Sequence, residues 1–102
     1  MQQTDKALSY IGICKKSGRI VTGTEMTCEA IRSAKIKLAV YSSDASENTE
    51  KRLTNCCKHY GVPYVKGGFD SAKLGKAVGS FGTVAAVGIT DEGLAKAITD
   101  SI

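Results

Sequence analysis

The chain has 102 residues, 14 Lys/Arg against 10 Asp/Glu, a formal net charge of +4 and ordinary apolar content. That length holds one hydrophobic core and leaves no room for a second, and the composition is that of a folded chain rather than a disordered one. No apolar run approaches the ~20 residues that a membrane-spanning helix needs. The opening MQQTDKALSYIGICKKSG has Asp5 and Lys6 where a secretory signal would need a basic start and a long apolar middle, so a cytoplasmic protein is expected.

Ala7, Leu8, Ile11 and Cys14 recur at helical spacing over residues 5–17, and Gly18 stops them. Arg19–Val21 reads as a short strand. Thr22 followed three residues later by Glu25 forms a capping-box pattern that opens a second helix, with Met26, Ala30, Ile31 and Ala34 as its expected inner face. IKLAVYS (Ile36–Ser42) is β-rich without helical period and reads as a buried strand.

Asp44 and Glu47 make a second capping-type pair before a helix whose inner side is Leu53, Cys56, Cys57 and Tyr60, ended by Gly61 and Pro63. PYVKGG supplies a strand and SAKLGKAVG a short helix closed by Gly79. TVAAVGI is an apolar strand, and Thr90 is expected to cap a last helix with Leu94, Ala97 and Ile98 inward. Asp91 and Glu92 fall in its first turn, where the helix dipole favours acids.

Near-continuous apolar strands alternating with helices require a sheet covered on both faces. The predicted fold is α/β: a three-layer α/β/α sandwich on a central four-stranded mixed sheet, with residues 1–102 as a single domain.

Signs of catalysis are thin. His59 is the single histidine, close to a helix-ending glycine, and a Cys57–His59 dyad would point its members apart on a helix. GKAVGSFG lacks the Lys-Ser/Thr ending of a phosphate loop. The four cysteines, Cys14, Cys28, Cys56 and Cys57, contain no C-x-x-C pair and read as reduced thiols used as small hydrophobes. No catalytic residue, metal or cofactor is expected. The excess charge sits early, with residues 1–40 holding seven Lys/Arg against three Asp/Glu. Such a bias can form a footprint for a polyanion.

KKSGRIVTGTEMTCEAIRSAKIKLAVYSSDAS, the GVPYV run (Gly61–Val65) and LGKAVG (Leu74–Gly79) with the apolar strand after it carry a family likeness. In order and spacing they resemble the L-seven-Ae / L-thirty-e family of large-subunit ribosomal proteins, which bind kink-turn RNA. The DASENT run (Asp44–Thr49) is similar to that of the short bacterial members.

The resemblance implies a non-catalytic protein that reads a sharply bent duplex, with a bulge flanked by sheared G·A pairs, through the N-terminus of its second helix. Exposed base edges in such a bend are accessible where ordinary A-form RNA hides them. The implied helix contacts are Gly23, Thr24, Glu25, Met26 and Glu29. The implied loop contacts, over the flipped-out bases, are Ser80, Phe81, Gly82, Thr83 and Val84. Lys15, Lys16, Arg19 and Arg32 are expected to supply backbone attraction. Ribosomal RNA and ribosome-associated proteins are the implied company, with no membrane.

Three positions depart from the family pattern. Strong binders carry Asn-Glu where this chain has Glu25 and Met26, and lysine where it has Glu29. Weakened or altered specificity is therefore expected. A paralogue that kept the fold for protein interaction and lost RNA is the alternative, with Met26, Phe81 and Val84 as its apolar patch.

Overall fold

The computed structural model describes residues 3–102. Helix and strand alternate throughout, starting with α1 (Gln3–Lys16), β1 (Ile20–Thr22), α2 (Thr24–Arg32) and β2 (Leu38–Tyr41). The chain continues through α3 (Glu47–Tyr60), β3 (Tyr64–Lys66), α4 (Ser71–Ala77), β4 (Ala86–Ile89) and α5 (Glu92–Asp100). The strands form one sheet in the order β1-β4-β2-β3. β4 runs antiparallel to both its neighbours, whereas β2 and β3 are parallel, so the sheet is mixed as expected.

Side chains alternate across a strand, and that alternation divides the core in two. Leu38 and Val40 of β2, with Val87 and Ile89 of β4, meet α1 (Ala7, Ile11, Cys14), α4 and α5 on one face. Ala39, Tyr41 and Ala86 meet Cys28, Ile31, Leu53 and Cys57 of α2 and α3 on the other. The result is the three-layer sandwich read from the sequence. Each fully buried aliphatic side chain here contributes about 1.5–3 kcal/mol through removal from water.

The inner face of α2 differs from expectation. Thr27, Cys28 and Ile31 are buried, while Met26 is 57% exposed, Ala30 is half-buried and Ala34 lies beyond the helix end at φ 60°. The cause is Gly88 in β4, where an added Cβ would lie 2.6 Å from Ile36 Cδ1 and 3.0 Å from Thr27 Cγ2. α2 rides directly on that glycine, and the Thr27 methyl fits the slot that a larger strand residue would occupy. Apolarity alone pointed to Met26; the shape of the sheet selected Thr27. In α3 the same shift leaves Cys56 half-buried and Tyr60 47% exposed beside buried Leu53 and Cys57. In α5, Ala95 and Ile98 are buried, with Leu94 and Ala97 at the margin.

All three predicted caps move. Thr22 is held in β1 opposite Val87 and cannot turn to cap; Gly23 takes that place at φ 95° with no side-chain cap. Ser46 Oγ, not Asp44, accepts from the Thr49 amide to cap α3. Asp91, not Thr90, caps α5 by accepting from the Leu94 amide at 2.8 Å. Asp44 instead accepts from the amide and hydroxyl of Ser71 at 2.8 and 2.9 Å, tying the end of β2 to the start of α4. In each case the neighbouring strand or loop claimed the residue first.

The cysteines are all free thiols, three buried and Cys56 partly so. Burial pushes the Cys57 thiol up to about 12, which keeps it protonated and unreactive at neutral pH.

Two carboxylates make stability sensitive to acid. The neighbouring Ser42 hydroxyl, together with hydrogen bonds from the hydroxyl and amide of Ser71, holds Asp44 below its usual range. The Leu94 amide, then Arg19, does the same for Asp91. A depressed native pKa gives stability that is complete above the unfolded value, about 4, and lost as pH falls through the native value. The melting temperature is expected to drop below about pH 4, and Asp44→Asn with Asp91→Asn should flatten that acid limb in melts followed by circular dichroism.

Candidate nucleic-acid interface

β1 and β2 run one way and β4 the other, so the C-terminal ends of β1 and β2 share an edge with the start of β4. The Gly23 amide donates to Ala86 O at 2.9 Å and the Ser42 amide to Ala85 O at 2.8 Å. This lattice of amides brings the first turn of α2 beside the loop of residues 79–85.

The helix start is open. Because Gly23 has no side chain, no cap consumes the first amides of α2, and the dipole leaves partial positive charge there. Such an end is suited to phosphate. Gly23 and Thr24 are half-buried at its floor, and Glu25, Met26 and Glu29 project from it into solvent.

The loop is fixed rather than slack. The Ser80 amide donates to Gly75 O at 2.8 Å, the Val84 amide to Ser71 O at 3.0 Å, and the Gly82 amide to Ser80 Oγ at 3.3 Å. Gly75 leaves room for the Gly82 carbonyl, since a Cβ there would lie 2.2 Å from that oxygen. Upon this frame Phe81 is fully exposed, at 111% of its reference area. Ser80, Gly82 and Thr83 are exposed and Val84 is half-buried. A concavity of about 520 Å³ lies between the loop and α4, lined by Ala72, Lys76 and residues 79–83. α2 does not line it. A larger cleft, about 600 Å³, opens away from this edge, floored by Ile31, Ile36 and Val62 with Lys37 and Lys96 among its lining.

The four basic residues expected to assist are not gathered here. The Arg19 carbonyl accepts from the Thr90 amide, at the other end of β1, and its guanidinium Nη1 lies 2.6 Å from Asp91 Oδ1. Lys15 and Lys16 occupy the last turn of α1, whose Cys14 carbonyl accepts from the Arg19 amide, so they too sit at the opposite edge. Arg32 closes α2, about 12 Å along the axis from its first residue. The chain order had placed these cations near the helix start, but a strand separates Arg19 from Gly23.

The cations close to the interface come from elsewhere. Arg52 of α3 reaches across to Glu25, forming an ion pair between Nη1 and Oε1. The two helices are registered one turn further down, where the Cys56 thiol donates to Cys28 O at 3.7 Å. Exposed Lys76 lines the loop concavity, and exposed Lys73 shares α4 with it. Nothing in the sequence reveals which side of α3 faces α2, so Arg52 carried no signal beyond its charge.

Among the described residues, no three His, Cys, Asp or Glu side chains stand together as a metal set. No described helix is long and apolar enough to cross a membrane.

The fold is a three-layer α/β/α sandwich whose open helix end and aromatic-bearing loop share one sheet edge. The chain belongs to the ribosomal protein L7Ae/L30e/S12e/Gadd45 family, whose family model matches residues 5–99. It is 37% identical over 86 residues to the RNA-binding protein YlxQ of Bacillus subtilis (strain 168), covering 83% of each chain. To the RNA-binding protein YlxQ of Enterococcus faecium it is 36% identical over 91 residues, covering 89% of this chain and 85% of that one.

Among solved structures, a protein with unknown function from Bacillus halodurans C is similar, with a TM-score of 0.87 and 28% identity over 94% of this chain and 95% of that one. The 15.5kD RNA binding protein of Giardia lamblia has a TM-score of 0.78 at 19% identity, over 97% of this chain and 83% of that one. The latter likeness is one of fold.

Proposed function

We propose that this chain is a non-catalytic, cytoplasmic RNA-binding protein that docks a kink-turn, with weakened or altered specificity, where α2 begins. The observation that carries the reading is the uncapped first turn of α2 sharing a sheet edge with the Phe81 loop. The YlxQ relatives are RNA-binding proteins by name, which supports RNA as the partner; ribosomal RNA and ribosome-associated proteins are the company the family suggests.

In this reading the α2 amides face phosphate, and Thr24 donates to phosphate or sugar. Glu25 accepts from guanine N–H donors, while Phe81 stacks on an unpaired base, a contact worth ~1–3 kcal/mol where it forms. Met26 makes no hydrogen bond and Glu29 opposes the acceptor edge of guanine, which is why specificity is altered. Lys15, Lys16, Arg19 and Arg32 contribute long-range attraction rather than contacts.

The test is a titration against a kink-turn RNA and a control whose G·A pairs are made Watson–Crick. Tighter binding to the kink-turn, weakening steeply with salt, is expected. Equal affinity for both, or indifference to salt, defeats the reading. The exposure of Met26 and Phe81 favours one other reading, a protein-docking paralogue without RNA; a partner retained after RNase treatment, with no kink-turn preference, would select it.

A further inference from the structure

We infer that Arg52, on α3, contacts the bound RNA: its guanidinium, held at the first turn of α2 by Glu25, presents its remaining N–H donors to a pair of acceptors on the nucleic acid. The inference rests on the RNA-binding reading above and adds a residue from a different helix to it.

α2 itself offers a polyanion a poor surface. Its exposed charges are Glu25 and Glu29 near the start and Arg32 at the far end. An RNA approaching the α2 amides therefore needs a cation from another element, and among the described residues Arg52 is the one paired with the first turn of α2. The ion pair cancels the charge of Glu25 at the point where phosphate would arrive. Both side chains remain in solvent, Arg52 51% and Glu25 73% exposed. An exposed pair of this kind contributes little to stability, so a structural tie between helices is a weak reason for it.

Guanidinium geometry supplies the rest. Arginine carries five N–H donors in a planar fork, and the Glu25 contact engages one nitrogen, Nη1. The other donors are left for acceptors spaced like two phosphate oxygens or like guanine O6 and N7. Holding the fork beforehand lowers the ordering cost of binding. The neighbouring Cys56–Cys28 contact fixes α3 against α2, so the fork is carried on a rigid seam.

Wild type and Arg52→Ala are titrated against the kink-turn RNA and its Watson–Crick control over a salt series, with melts run alongside. Arg52→Ala is expected to weaken kink-turn binding about tenfold while leaving the melting temperature nearly unchanged. With phosphate as the partner, the log–log salt slope falls by about one and Arg52→Lys restores most of the affinity. With a guanine edge as the partner, Arg52→Lys fails to restore it, and RNA carrying 7-deazaguanine, which lacks N7 but keeps O6, narrows the difference between wild type and Arg52→Ala. Equal affinity of wild type and Arg52→Ala, for an RNA that wild type tells from the control, overturns the role of Arg52 and leaves the RNA reading standing. A wild type that does not tell the two RNAs apart overturns both.

Discussion

Lysine in place of Glu29 is expected to tighten kink-turn binding by roughly ten- to a hundredfold. Glu25 and Glu29 sit one turn apart on α2, but their situations differ. Glu25 is neutralised by Arg52, whereas Glu29 makes no salt bridge among the described residues. An unpaired carboxylate about 7 Å from a phosphate costs ~0.6 kcal/mol in water and ~2 kcal/mol at the effective dielectric of a protein surface. Reversing its sign gains that amount twice.

The fold should be indifferent, because Glu29 is exposed. A Glu25-to-lysine pair at i+4 adds ~0.2–0.5 kcal/mol, and repulsion from Arg32 at i+3 removes a similar amount. Glu29→Gln, which deletes the charge without reversing it, should give about half the gain on a logarithmic scale. An unchanged or weaker affinity for Glu29→Lys would show that RNA does not pass this side of α2.

The layered architecture was legible because it depends on patterns that survive averaging. LAVY and AVGI are apolar at every position, and only a sheet covered on both faces tolerates such strands. Gly61 ended α3 where it was expected, in the left-handed conformation at φ 69°. The caps were less legible because several candidates lie within two residues of each start. Strand pairing decides among them: the ladder extends through Thr22 and Gly23 to Val87 and Ala86, which no local pattern records. The Asp44–Ser71 link joins residues 27 apart and was equally invisible.

The candidate site divides in the same way. Its helix and loop elements were identified as contiguous motifs, and the sheet brings both to one edge. Its electrostatics depend on contacts between elements, and there the sequence misled. Arg19 looked close to Gly23 because only three residues separate them in the chain, but β1 carries it to the opposite edge and Asp91 neutralises it. Arg52 is 27 positions from Glu25 in the chain and lies against it. Proximity along an extended chain is a poor guide to proximity of charge.

Alanine in place of Gly75 is expected to lower stability and RNA affinity together, because this position joins the core to the loop. Within a helix, alanine gains ~1 kcal/mol over glycine. Here its Cβ would lie 2.2 Å from Gly82 O and 3.4 Å from the Val84 nitrogen. Both neighbours are backbone, so no side chain can rotate aside. Relief requires the loop to lift, which breaks the Ser80–Gly75 and Val84–Ser71 hydrogen bonds. Overpacking of this kind costs ~1–3 kcal/mol, with two backbone hydrogen bonds at about 1 kcal/mol each in addition.

The loss exceeds the propensity gain, and a fall in melting temperature of about 5 °C or more is expected for a domain of this size. Kink-turn affinity should fall about tenfold even at temperatures where the variant is fully folded, because lifting the loop would move Phe81 from the place where the proposed interface stacks it on a base. Phe81→Ala provides the comparison. Its ring is fully exposed, so it should lose the same affinity with no change in melting. If Gly75→Ala melts lower yet binds as wild type, the loop does not meet the RNA, and the contact surface is confined to the helices.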